Sequence, residues 1–201
     1  MPVRPTFVSL QRKTTGNDRQ KVSRNRSQHI DIEELSSSLG IEDVKRYSCM
    51  AAKSEGARNE LVEVIFGQSP RAAGNAAWAL THLKDRELGF LLPYSNRMAD
   101  LLMSDTTITL RRLLLNLLSR IGISECHERG DLLDFIFTQI NHPDAPPGVR
   151  ALCMRIAYLF CMQYPELKNE LLETISLPNT EELSRGDLHY RGKIRAMLKG
   201  H

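Results

Sequence analysis

Long apolar runs are missing from this 201-residue chain; no stretch approaches the roughly 18 residues that crossing a bilayer takes. No membrane span or membrane partner is therefore expected. Aromatic residues are scarce, 6% of the chain with a single Trp, so a core must be built mainly from Leu, Ile, Ala and Met. That mix favours helices over a β-sandwich, which draws on Val, Thr, Tyr and Phe. Period-two alternation is absent over any strand's length, and no sheet is expected. The four cysteines, Cys49, Cys126, Cys153 and Cys161, include no C-x-x-C pair, and three of them sit in apolar helical patterns. Reduced, buried thiols in a cytoplasmic protein are expected. The N-terminus also lacks the apolar core of a secretory signal.

Signatures of catalysis are equally absent. There is no G-x-S-x-G, no phosphate-cradling glycine loop, and no strand on which to mount either. Cys153 and Cys161 share one apolar helix, where burial raises a thiol's pKa and leaves it inert. Cys126-His127-Glu128, with Asp131 nearby, gathers metal-ligand residue types. Adjacent ligands without a second pair at C-x-x-C or H-x3-H spacing nevertheless make a poor site. No catalytic, cofactor-binding or metal-binding residue is assigned, and the chain is read as a non-enzyme.

Charge is unevenly placed. Of 27 Lys/Arg and 24 Asp/Glu, the first thirty residues hold seven cations (Arg4, Arg12, Lys13, Arg19, Lys21, Arg24, Arg26) against the lone Asp18. The rest of the chain is therefore mildly acidic. Residues 1–29 carry no sustained apolar period and read as a basic tail, disordered or loosely attached. Residues 30–201 read as the folded domain.

Helical signals then follow one another between short breakers. Helices are expected over 31–39, 42–53, 57–66, 70–83, 86–103 (bent near Pro93), 107–121, 131–140, 148–163, 166–175 and 184–199. Three of them open on an arginine: Pro70-Arg71-Ala72-Ala73, Leu110-Arg111-Arg112-Leu113 and Val149-Arg150-Ala151-Leu152. Arg71, Arg111, Arg150 and Arg191 are spaced by 40, 39 and 41 residues. Leu110, Leu113, Leu114, Leu117, Leu118 and Ile121, widened by Leu115, form a stripe too broad for a helix with one neighbour. The last helix shows only a narrow stripe, Tyr190, Ile194 and Met197, with Arg191 off it, as a terminal cap should.

A period near 40 with two helices per unit is that of HEAT and armadillo repeats. Ser104-Asp105 before Leu110-Arg111-Arg112, and Asp144 before Val149-Arg150-Ala151, resemble the Asp…Val-Arg signature opening the second helix of HEAT repeats. The resemblance covers roughly residues 40–199, extends in segment order to small bacterial HEAT-like proteins, and supplies no activity. It implies an all-α fold, a short α-α superhelix of about four helix pairs. In such repeats the arginine pairs with the preceding aspartate, here Asp105 and Asp144, and such a carboxylate would offset an arginine placed against the helix dipole.

The leading functional expectation is a non-catalytic scaffold whose second helices contact an unknown protein or peptide. The contact residues would flank the apolar stripes: Asn75, Trp78, His82, Asn116, Arg120, Arg155 and Tyr158. Ala76 to His82 resembles the third helix of an importin-α-type armadillo repeat, where a Trp and an Asn four residues later grip an extended peptide. Here His82 replaces that Asn and later repeats lack the Trp, so Trp78 is expected to pack between helices with its indole N–H bonded. The alternative is nucleic-acid binding through the tail and an arginine stripe, Arg71, Arg111, Arg112, Arg150, Arg191 and Arg195, as in HEAT-like alkylpurine glycosylases. The acidic balance of the body argues against it.

Overall fold

A computed structural model describes residues 29–177 and 183–200. The tail expectation therefore falls, but for His29, outside the described residues, as does most of the break after Leu177. Among the described residues the fold is all-helical, with ten α-helices and no strand. They are α1 (Ile32–Leu35), α2 (Ile41–Lys53), α3 (Glu55–Ile65), α4 (Pro70–Thr81), α5 (Ser95–Met103), α6 (Ile108–Ile121), α7 (Gly130–Asn141), α8 (Pro147–Gln163), α9 (Leu167–Thr174) and α10 (Arg185–Lys199).

Hydroxyl caps set four of the ten starts. Ser54, Ser69, Thr107 and Ser184 each accept a bond from the backbone N–H three residues on, and Pro70 and Pro147 occupy the first turn, where a missing N–H costs nothing. The helix expected over 31–39 stops at Leu35, because the hydroxyls of Ser36 and Ser37 bond back to the Ile32 and Glu34 carbonyls. The bent helix expected over 86–103 is a correction of the same kind. Residues Asp85–Glu87 and Gly89–Tyr94 form 3-10 turns, and α-helix begins only at Ser95. Glu87 closes the first turn on the Lys84 N–H at 2.8 Å, and Pro93 removes a donor from the second.

Helices α3/α4, α5/α6 and α7/α8 pack as three antiparallel pairs. The second helices α2, α4, α6, α8 and α10 also pack on one another in series. Shorter helices complete the ends. Helix α1 is tied to α2 through Tyr47, whose hydroxyl donates to Glu34 at 2.6 Å, and α9 lies against α7 and α8. The first helices form the other layer; Arg97 of α5 reaches Glu63 of α3 at 3.6 Å and lies over the Phe66 ring.

The expected leucine stripe is the centre of the stack: Leu110, Leu113, Leu114, Leu115, Leu117 and Leu118 are all buried. Burying four or more such side chains, at about 1.5–3 kcal/mol each, is what holds α4, α6 and α8 together. Cys126, Cys153 and Cys161 are buried and Cys49 is exposed, all four as free thiols. Burial raises the thiol pKa of Cys126 and Cys153 and pushes Cys161 up to about 11. In α10 the buried face differs in phase from the expected stripe: Asp187, Arg191, Ile194 and Leu198 face inward, while Tyr190 and Met197 are half-buried. No helix among the described residues is long and apolar enough to cross a membrane.

Candidate functional site

The arginines that open the second helices do not pair with the aspartates before them. Arg111 donates to the Leu102 and Ser104 carbonyls at 3.3 and 3.2 Å, and Arg150 to the His142 and Pro143 carbonyls at 3.1 and 3.0 Å. Arg191, 4% exposed, donates to the Ile175 and Ile140 carbonyls, both at 3.1 Å, and to Asn141 Oδ1 at 2.9 Å. Burial pulls its guanidinium below the usual arginine pKa, with Asp187 opposing. Each of the three clamps carbonyls at the end of a first helix, where the last turn leaves acceptors unmet and the dipole is negative. The carbonyl end supplies the negative charge that Asp105 and Asp144 were expected to supply.

Arg120 does the same between second helices. Its guanidinium reaches the Thr81 and Leu83 carbonyls at the end of α4 and Asp85 Oδ1 at 2.7 Å. Asn75 ties α4 to the end of α1 through the Leu35 and Ser37 carbonyls, at 2.8 and 3.0 Å. Arg155 Nε meets the Ser119 carbonyl at 3.4 Å.

The solvent side of the second helices repeats. Position nine, counted from the first residue of α4, α6 and α8, holds Trp78, Asn116 and Arg155; position five holds Gly74, Arg112 and Ala151. These residues are all at least partly exposed. Between α4 and α6 a cavity of about 360 Å³ opens, lined by Trp78, Thr81, Arg112, Leu113, Asn116 and Arg120. The indole N–H of Trp78 has no acceptor among the described residues, contrary to the expected hydrogen bond; the ring stands half-buried against His82, centroids 6.1 Å apart. His82 Nδ1 meets the Trp78 carbonyl at 3.0 Å. Asn116 Oδ1 is buried without a hydrogen-bond partner among the described residues.

The structure thus gathers Trp78, Asn116 and Arg120 from one group of expected residues and Arg112 from the other. Tyr158, 8% exposed, is turned into the core instead. Arg71 and Arg112 are exposed and unpaired among the described residues, and Arg195 reaches Ser176 Oγ at 3.1 Å. Thr81 and Leu113 were missed. The repeat period itself places Thr81 beside the Trp78 column and Leu113 next to Arg112. Elsewhere, His127 Nδ1 lies 2.8 Å from the Tyr164 hydroxyl, and no three His, Cys, Asp or Glu side chains among the described residues gather as a metal site.

Charge is sorted by layer. Helices α4, α6 and α8 contain no Asp or Glu, and α10 contains only Asp187, which is 2% exposed. Helix α2, the remaining second helix, holds Glu42 and Asp43 beside Lys45, Arg46 and Lys53, and the first helices carry Glu55, Glu60 and Glu63 in α3, Asp100 in α5, Asp131 and Asp134 in α7, and Glu170 and Glu173 in α9. Their cations are fewer, Arg58, Arg97 and Lys168. A mildly acidic body therefore presents a cationic second-helix face, which a whole-chain charge cannot reveal.

Helix pairs packed in series, with second helices in contact and clamped to first-helix ends, define an α-α solenoid of the helical-repeat class. The family model of the HEAT repeat domain matches residues 32–197, and this chain belongs to that family. Proteins of this class serve as scaffolds, commonly for protein interactions. No curated protein and no solved structure matches the chain.

Proposed function

We propose that the protein is a non-catalytic interaction scaffold, a domain spanning residues 30–201 whose contact surface is the solvent side of α4, α6 and α8. The carrying observation is the recurrence of outward positions: Trp78, Asn116 and Arg155, 38 and 39 residues apart, rise side by side because their helices pack directly on one another. A partner lying across the helices meets one equivalent position per repeat, so binding energy accumulates along the stack. The clamps through Arg111 and Arg150 fix α6 and α8 to the first-helix layer, and Asn75 and Arg120 tie α4 to α1 and α6, so the face is preorganised and little ordering cost falls on binding.

The test is capture from native lysate with the full chain, with a Trp78→Ala/Asn116→Ala/Arg155→Ala variant, and with a Glu63→Gln/Asp134→Asn control on the opposite layer. Proteins retained by the unaltered chain and by the control, but lost from the triple variant, support the assignment. A triple variant that unfolds at the ordinary temperature and still retains the same proteins sinks it.

A further inference from the structure

We propose that the cavity between α4 and α6 receives an extended acidic segment of a partner protein, with a carboxylate on Arg112 and a backbone peptide group on Asn116. The inference rests on the second-helix face being the contact surface, and it adds the chemistry of the occupant.

Charge gives the first argument. Arg112 is exposed and has neither ion pair nor hydrogen bond among the described residues, and no carboxylate is carried by α4, α6 or α8. An anion reaching Arg112 meets no carboxylate on these three helices, and the carboxylate held at the cavity's edge, that of Asp85, is paired with Arg120 at 2.7 Å. Displacing only water, the anion forms a charge-assisted and potentially bidentate pair with the guanidinium.

Asn116 gives the second argument. Its side-chain amide forms no hydrogen bond among the described residues, and Oδ1 is withdrawn from solvent. With Oδ1 already sealed off, the Nδ2 donors are what an occupant meets, and a peptide carbonyl accepts from them. The half-buried face of Trp78 supplies an apolar wall for side-chain stems, and its indole N–H, without an acceptor among the described residues, can donate.

Spacing gives the third. Packed helices stand about 8–10 Å apart, and besides Arg120, which Asp85 neutralises, outward cations sit one to a helix, at Arg71, Arg112 and Arg155, the last engaged through Nε. A nucleic-acid strand carries a charge about every 3.4 Å, so most of its phosphates would find no cation here. An extended peptide rises about 3.3 Å per residue, so a carboxylate at every third residue recurs at about the helix spacing.

Trp78 is the chain's only tryptophan, so its emission reports on this cavity. The full chain would be titrated with a capped Glu-Gly-Gly repeat peptide, with the Gln-Gly-Gly counterpart, and with a thymidine oligonucleotide. The Glu peptide should shift Trp78 emission saturably, with affinity that falls as salt is raised. Arg112→Glu, on the solvent side and expected to melt normally, should weaken it by about tenfold or more. Asn116→Ala should weaken both Glu and residual Gln peptide binding, whereas Asp134→Asn should leave the titration unchanged. No response to the Glu peptide, an equal response to the Gln peptide, or tighter binding of the oligonucleotide overturns the proposal. Loss of captured proteins from the triple variant, with no response to the Glu peptide, refutes the acidic chemistry alone. Capture that survives the triple variant refutes the face.

Discussion

Arg191 shows what a single buried cation does in this stack. Three acceptors from two first helices, the Ile140 and Ile175 carbonyls and Asn141 Oδ1, converge on its guanidinium. Asp187, buried beside it, is capped by the Ser184 hydroxyl at 2.8 Å. Replacing Arg191 with Met preserves length but strands the acceptors and removes one of the two positive charges near Asp187, leaving only Arg150 at 3.8 Å. Arg191→Met should therefore cost about 3 kcal/mol in urea unfolding. Arg71→Met, at the equivalent start of α4 but exposed, should change stability by less than about 0.5 kcal/mol. Equal effects at the two positions would show that the clamp contributes nothing.

At the scale of the element, the end of α6 depends on one backbone conformation. Gly122 has φ +87° and ψ −176°, a region open essentially to glycine, and its N–H caps the helix on the Leu118 carbonyl at 3.0 Å. A Cβ built there meets no atom within 4 Å, so sterics from neighbours play no part. Gly122→Ala should destabilise by about 1–3 kcal/mol through backbone strain alone, read as a lower thermal midpoint with the same contacts around α6. A neutral effect would mean that the turn relaxes to negative φ. Helix starts were legible because Ser, Thr and Pro caps act through the adjacent backbone. The breaks at Ser36 and over 85–94 were not, since local hydroxyl and proline effects there override the apolar period.

For the whole molecule, serial packing means that each second helix is held by the neighbours on either side, and the end helices by one. Opening should therefore propagate inward from the ends. Amide exchange should be slowest in α6 and its flanking helices α4 and α8, and fastest in α1, α9 and α10. Leu114→Ala, removing a fully buried side chain at the centre, should cost about 2–5 kcal/mol and accelerate exchange in α4 and α8 as well as α6. Uniform protection across all helices would contradict a stack and indicate one indivisible core.

The sequence by itself determined the all-helical class, the forty-residue recurrence, the leucine-filled centre and the HEAT membership that follows. Each depends on local periodicity, and a helix declares its buried face through the spacing of its own residues. Tertiary structure alone decided what the arginines hold. Arg111, Arg150 and Arg191 carry the same signature as free cations would, and only the arrival of first-helix carbonyl ends beside them turns them inward. It also decided that Trp78, Arg112 and Asn116 share one cavity, and that the two helix layers carry opposite charge. Residues dozens apart meet only when helices stack, and net charge read along a chain averages over two faces that the fold keeps apart.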